Sequence, residues 1–114
     1  MGVAKKIKRK QAYEYSVSEV FELFQREKIA YGLSTSTIRS YSESLHRFTS
    51  ALQLDTPSVQ DLDKPHILSF IYILQEDGVA TASINHYLRD LRSFLNWCFN
   101  EKYIQEKIEV WISS

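Results

Sequence analysis

The sequence is short of the residues from which disulfide frameworks, metal clusters and glycine-rich loops are built. It holds one cysteine (Cys98), three glycines and two prolines in 114 residues. A single cysteine excludes an internal disulfide, and the position of Cys98 on an apolar stripe indicates a small buried hydrophobe. No apolar run approaches the roughly 18 residues of a membrane-spanning helix, and no secretory signal is visible. We therefore expect a cytoplasmic protein with no membrane partner.

Motifs of catalysis are missing as well. There is no HExxH, no CxxC, no phosphate-binding glycine loop and no GxSxG. The three histidines, His46, His66 and His86, lie on three different predicted elements, and no pair has the i, i+4 spacing of metal ligands on one helix. The carboxylates are scattered over predicted solvent-facing positions. We expect this chain to be no enzyme by itself and to hold no cofactor or metal.

Charge is balanced overall but unevenly distributed. Lys and Arg together number 14, as do Asp and Glu, so the formal net charge is zero. The first ten residues nevertheless carry five positive charges, from Lys5, Lys6, Lys8, Arg9 and Lys10. Residues 1–14 are predicted to form a flexible basic arm that either follows DNA phosphates or is simply solvated. A nuclear address or an anionic membrane contact would use the same chemistry.

Apolar spacing predicts an all-α domain with four main helices. Ser16 or Ser18 caps the first helix, and Ser34 caps the second. Asp63 caps the third, which is the most apolar and is expected to be central. The fourth helix follows Gly78. Beyond it, a helical spacing of apolar residues predicts a short C-terminal amphipathic segment, formed by Ile104, Ile108, Trp111 and Ile112.

The second and fourth helices share one pattern, displaced by 46 positions (78 − 32 = 46). Six pairs match at this displacement: Gly32 and Gly78, Thr35 and Thr81, Ile38 and Ile84, Tyr41 and Tyr87, Leu45 and Leu91, and Phe48 and Phe94. The matches indicate two related helix–turn–helix units. Convergent patterning of amphipathic helices would produce the same matches.

The outward faces of these two helices are predicted to be slightly basic and rich in hydroxyl groups. Arg39 and Arg47 outweigh the acid on the second helix, and Arg89 and Arg92 outweigh Asp90 on the fourth. Small hydroxyl side chains beside arginine suit the close approach of a phosphate backbone, although a tolerant solvent face explains them too.

Three motifs in order resemble the N-terminal core-binding domain of tyrosine recombinases (phage integrases). They are G-L-S-x-x-T-I-R-x-Y-x-x-x-L-x-x-F from Gly32, I-x-x-F-I-x-x-L-x-x-x-G from Ile67 and S-I-N-x-Y-L-x-x-L-R-S-F-x-N-W from Ser83. The resemblance implies a SAM-like orthogonal bundle at residues 15–104 that clamps a recombination core site for DNA integration. Residues 105–114 would then begin a linker or form a short helix toward a separate catalytic domain.

The resemblance also implies which residues contact double-stranded DNA. Besides the arm, these are Thr35, Thr37, Arg39 and Arg47 on the second helix and Ser83, Asn85, His86, Arg89 and Arg92 on the fourth. Arginines would hold phosphates, and Asn85 or an arginine could read a base edge. The parent would act in a bacterial or phage nucleoid as a tetramer on DNA. The alternative from the residues is a protein-interaction bundle without a nucleic-acid role, favoured by the acidic body and the apolar C-terminal tail.

Overall fold

The protein is built from four α-helices within residues 14–54 and 58–113, the ranges that the computed structural model describes. They are α1 (Val17–Ala30), α2 (Thr35–Ala51), α3 (Lys64–Glu76) and α4 (Thr81–Asn100), with a 3-10 turn at Val59–Asp61. In these ranges extended pairing is limited to an isolated bridge between Ser16 and Ser58. The prediction of an all-α domain with four main helices is confirmed. The five basic residues of the predicted arm lie outside the described residues.

Three of the four helices begin with a capping side chain, at positions that the sequence predicts. Ser16, rather than Ser18, caps α1 in a reciprocal capping box with Glu19. Ser34 accepts a hydrogen bond from the Thr37 backbone at α2, and Asp63 accepts one from His66 at α3. Each cap satisfies a backbone N–H that has no partner inside the helix.

The helices all end in one type of hydrogen-bonded turn. At the end of α1 the N–H of Leu33 reaches the carbonyl of Lys28, and at the end of α3 the N–H of Val79 reaches that of Leu74. A hydrogen bond from the N–H of one residue to the carbonyl five positions earlier is the Schellman arrangement. In it, the residue just before the N–H donor adopts positive φ. Those positions hold Gly32 (φ 85°), Gln53 (53°), Gly78 (76°) and Lys102 (66°).

The aromatic core repeats with the same 46-residue displacement as the sequence. Ring contacts fall into two equivalent pairs: Phe24–Tyr41 (5.1 Å) corresponds to Phe70–Tyr87 (6.2 Å), and Phe24–Phe94 (5.4 Å) corresponds to Phe48–Phe70 (5.2 Å). In each pair, replacing every residue by its equivalent in the other unit converts the first contact into the second. The unit α1–α2 therefore packs on the unit α3–α4 around an approximate two-fold relation.

The central helix is α4, and the prediction that α3 is central was wrong. α4 packs against all three other helices and buries seven of its residues. α3 buries Ile67, Phe70 and Leu74 but leaves Leu68 and Tyr72 exposed. The high apolar content of α3 therefore reflects a second, outward apolar strip rather than complete burial.

The C-terminal segment contains no helix, so the predicted helical segment there was wrong. Lys102 turns the chain at positive φ, and Tyr103 and Ile104 then enter the core. Ile108 and Val110 are buried two positions apart, whereas Trp111 is 85% exposed. A two-residue period belongs to extended chain, which presents alternate side chains to one surface. The segment lies extended against the bundle because that conformation buries Val110 in place of Trp111.

Candidate nucleic-acid interface

Polar side chains join α2 and α4 along a seam of equivalent positions. Ser40 Oγ lies 3.0 Å from His86 Nε2, and Ser44 Oγ donates to Asp90 Oδ2 at 2.6 Å. Each pair is separated by 46 residues, the displacement of the repeat. Ser40 Oγ also donates to Asp90 Oδ2 at 2.7 Å, so these contacts join one turn of α2 to one turn of α4. The outward faces of the two helices therefore adjoin at this seam.

Arginines lie on both sides of this seam. The Arg47 guanidinium of α2 lies 5.8 Å from the centroid of the Tyr87 ring of α4, a cation–π contact that crosses between the helices. Arg89 lies one turn beyond His86 on the exposed side of α4, and Arg39 is exposed beside Ser40. Helical geometry thus brings arginines of the two sequence units into one region.

The arginines of the two helices lack acidic partners among the described residues. No described carboxylate forms an ion pair with Arg39, Arg47, Arg89 or Arg92. On α1, by contrast, Arg26 pairs with Glu22 at 2.7 Å. The guanidinium groups of α2 and α4 therefore remain available to an anion from outside the chain.

The acidic residue Asp90 of this surface is largely buried. The Asp90 side chain is only 16% exposed, because its Oδ2 accepts hydrogen bonds from both Ser40 and Ser44. Glu43 on α2 is exposed. The two hydroxyl donors thus occupy Asp90, which makes no ion pair with the arginines of this surface among the described residues.

The hydroxyl groups in the first turns have two roles. Thr35 and Ser83 are exposed, as predicted for residues that contact a ligand. Thr37 is half-buried, and its Oγ1 lies 2.9 Å from Ser34 Oγ, so it completes the cap of α2. Thr35 and Ser83 therefore face outward near helix ends where backbone N–H groups carry partial positive charge.

Asn85 and Arg92 lie on the other flank of α4, beside the C-terminal segment. Asn85 is buried, and its Nδ2 donates to the Ser113 carbonyl at 2.8 Å. The prediction that Asn85 stands on the outer face was wrong, because the extended segment covers that side of the helix. Arg92 is exposed and lines a groove together with residues 107–111. The seam with α2 therefore gathers Arg47, His86 and Arg89 and leaves Asn85 apart.

Sequence reasoning did not assign Ser40, Ser44 or Asp90 to the site. Ser40 stood on a predicted outward face, Asp90 was counted only in the charge balance of the fourth helix, and no motif distinguished Ser44. Their signal lies in the repeat itself: positions 40 and 86, and 44 and 90, are equivalent, and equivalent positions meet where two related units pack about a two-fold. The equivalence of these positions indicates a contact only when it is known how the two units pack, and the spacing of residues along one helix does not show this.

Within the described residues, no group of three His, Cys, Asp or Glu side chains is placed to hold a metal ion. Burial raises the pKa of the Cys98 thiol, which stays protonated in the core. None of the helices in the described ranges combines the length and the apolar character needed to cross a membrane.

Residues 21–102 match the sequence model of the phage integrase N-terminal SAM-like domain. The chain belongs to this family. The match begins within α1 and ends just after α4, so it covers most of α1 and all of α2, α3 and α4. The family resemblance predicted from the three motifs is confirmed, and with it the assignment to tyrosine recombinases and phage integrases.

Curated relatives of the SAM-like domain carry the name tyrosine recombinase XerD. The protein of Oceanobacillus iheyensis is 26% identical over 91 residues, covering 78% of this chain and 30% of the relative. Those of Staphylococcus saprophyticus (30% identity) and Halalkalibacterium halodurans (31%) cover 76% and 67% of this chain and 29% and 26% of their own lengths. The chain thus spans less than a third of each of these relatives. No solved structure matches the chain.

Proposed function

We propose that this SAM-like domain is the DNA-binding module of a tyrosine recombinase. It holds double-stranded DNA of the recombination core site against the surface formed by α2 and α4, while a separate catalytic domain of the same parent carries out strand exchange. The family match supports a recombinase or integrase domain, and the aligned residues make up only 30% of the Oceanobacillus iheyensis relative, which leaves room there for a catalytic part.

The observation that carries the proposal is the set of arginines without acidic partners on both sides of the α2–α4 seam. A protein that neutralises DNA phosphates with Arg or Lys releases condensed counterions, and this release dominates sequence-independent affinity. Arg47, Arg89 and Arg39 are exposed and lack described carboxylate partners, so no ion pair has to break before they meet phosphate. Their charges are therefore available for binding.

Each part of the surface has a proposed role. Arg39, Arg47 and Arg89 hold phosphates, and the exposed hydroxyls of Thr35 and Ser83 donate to phosphate oxygens near the helix N-termini. Asn85 serves as an anchor for the C-terminal segment, since its amide is already bonded. Arg92 contacts DNA from the flank of α4.

The remaining boundaries also belong to the proposal. The arm at residues 1–14 would follow phosphates beyond the bundle, through Lys5, Lys6, Lys8, Arg9 and Lys10. Residues 15–104 form the DNA-binding module, and residues 105–114 lead toward the catalytic domain. The parent would assemble as a tetramer on two paired sites.

The test is a salt titration of a labelled duplex with charge-removing variants. Arg39→Gln and Arg89→Gln should each reduce the slope of log affinity against log salt concentration by about 0.9, because each removes one phosphate contact. Arg26→Gln is the matched control, since Arg26 is exposed on α1 and paired with Glu22. It should leave the slope unchanged.

A stability measurement separates binding from folding. Leu91→Ala removes a buried side chain of α4 and should cost about 2–5 kcal/mol of unfolding free energy. The two arginine variants should unfold at the urea concentration of the parent sequence. Equal loss of affinity in Arg26→Gln and Arg89→Gln, or affinity without salt dependence, would contradict the proposal.

A protein-interaction bundle remains the second candidate, and one observation favours it. Leu68 and Tyr72, one turn apart on α3, expose apolar surface, as does Trp111. If this surface carried the function, Leu68→Ser with Tyr72→Ser would abolish concentration-dependent association measured by sedimentation, and the duplex would cause no change.

A further inference from the structure

The hydrogen atoms at the α2–α4 seam can be assigned from the donors and acceptors that meet there. Ser40 Oγ donates its single hydrogen to Asp90 Oδ2 at 2.7 Å. The same oxygen lies 3.0 Å from His86 Nε2 and can only accept from it. His86 Nε2 therefore carries a hydrogen in this network. The other ring nitrogen, Nδ1, is the position that can take up a further proton.

Asp90 links both sides of this network. Its Oδ2 accepts from Ser40 and from the fully buried Ser44, and it lies 3.7 Å from His86 Nε2. Hydrogen bonds to an ionised carboxylate are stronger than neutral ones, so Asp90 fixes α2 against α4 where the arginines of the two helices converge. The same carboxylate lies opposite the imidazole of His86.

His86 is placed to act on a ligand. Its side chain is 54% exposed, and its ring packs against Tyr87 at 5.9 Å. Protonation at Nδ1 would add a positive charge to the surface without breaking the bond from Nε2 to Ser40. A phosphate close to the ring would favour that protonation, with the proton drawn from the buffer.

We infer that Asp90 is a positioning residue of the α2–α4 surface, which through Ser40 holds His86 so that His86 takes up one proton when DNA phosphate binds. The inference rests on the proposed function. It adds that the charge of the contact surface changes between weakly acidic and neutral pH. The group that changes charge is His86, and Asp90 is the residue that positions it. α2 is the element packed against the ring, and the charged groups of the two helices there are Arg39, Glu43, Arg47, Arg89 and Asp90.

The sign of the effect follows from the linkage. Asp90 is present with and without DNA, whereas phosphate acts only in the complex, so the bound state holds the proton more tightly than the free state. Binding therefore tightens as pH falls and weakens as pH rises. The affinity for duplex DNA should be about three- to tenfold higher at about pH 6 than at about pH 8.

The experiment titrates a fluorescein-labelled mixed-sequence duplex of about 30 bp at several salt concentrations and at both pH values. The unchanged chain should show a salt slope steeper by about 0.9 at the lower pH, the signature of one more phosphate contact. His86→Gln, which has no titratable ring, should give the same slope and affinity at both pH values. His46→Gln is the matched control, because His46 Nε2 lies 3.4 Å from Ser50 Oγ on the same helix surface. It should retain the parent's pH dependence.

Asp90→Asn separates positioning from packing. The amide retains an oxygen that can accept from a serine but removes the charge opposite the imidazolium, so the pH-dependent part of the slope should fall by at least about half. Circular dichroism confirms that each variant is folded. A pH dependence in His86→Gln equal to that of the parent, or one unchanged in Asp90→Asn, would overturn the inference while leaving the proposed function intact. Absence of salt-dependent binding at both pH values would instead remove the proposed function, and the inference with it.

Discussion

Cys98 shows how a polar atom is kept inert in this core. It lies in the last turns of α4 with no solvent exposure, and burial raises the pKa of its thiol because the thiolate would lose its hydration. The thiolate is the nucleophilic form of cysteine. Reaction with a thiol reagent therefore requires the helix to open first.

Labelling of Cys98 provides a direct measure of this protection. Because the chain has no other cysteine, a single rate reports a single site. We expect a disulfide reagent at neutral pH to label the folded chain at least about 100-fold more slowly than the chain in denaturant. The denatured chain is the control for intrinsic reactivity. Similar rates in both states would mean that Cys98 is accessible and that the packing of α4 is misassigned.

At the scale of helices, the four turns that end the helices differ in the steric cost of the positive φ that each requires. Gly32 and Gly78 adopt positive φ at no steric cost, whereas Gln53 and Lys102 adopt it with a Cβ atom. A Cβ added at Gly78 would meet nothing within 4 Å, so any cost there comes from the backbone alone. The two kinds of turn can therefore be compared by substitution.

Lys102→Gly should raise the free energy of unfolding by about 1 kcal/mol, since it relieves the left-handed conformation at an exposed position. Gly78→Ala should lower it by about as much, for the opposite reason. Both changes are measured by urea denaturation. Lys107→Gly serves as the control, because Lys107 has no positive φ, and it should bring no gain. A loss of stability in Lys102→Gly would contradict the assigned turn.

The C-terminal segment depends on a few specific contacts. Tyr103 stacks on Trp97 at 5.5 Å and accepts a hydrogen bond from Gln60 at its carbonyl, and Asn85 fixes the far end at Ser113. We expect Asn85→Ala to loosen residues 108–113, with faster amide exchange there and unchanged protection in α2 and α4. Asn96 is half-buried and lines the groove between α4 and residues 107–111. The control variant Asn96→Ala should leave the amide exchange of Ser113 unaltered. Faster exchange throughout α4 would show that Asn85 supports the helix instead.

Local features of the helices could be predicted from the sequence because they depend on neighbouring residues. Ser16, Ser34 and Asp63 as caps, and Gly32 and Gly78 as turns, follow from short-range chemistry. The choice of central helix could not be predicted, because α3 has an apolar strip at Leu68 and Tyr72 that no element covers within the described residues. The C-terminal conformation was missed because it is decided by contacts that the bundle provides.

At the scale of the whole molecule, two related units share one core and one polar seam. The equivalence of the contacts of Phe24 and Phe70 links the sequence repeat to the packing, and the seam of Ser40, Ser44 and Asp90 lies between α2 and α4. The same arrangement gathers the arginines from two distant stretches of sequence. The packing of the helices therefore decides which of the predicted contact residues share a surface. Asn85 lies on the opposite flank of α4, against the C-terminal segment.

The central claim is that the outward faces of α2 and α4 together form the DNA-contacting surface. Nuclear magnetic resonance tests it most directly, since a chain of 13.4 kDa gives resolvable amide signals during titration with a duplex. We predict the largest shifts at Arg39, Arg47, His86 and Arg89 on the two helices, with little change at Arg26 on α1. Shifts concentrated at Leu68 and Tyr72 on α3, with none at the seam of α2 and α4, would contradict the account.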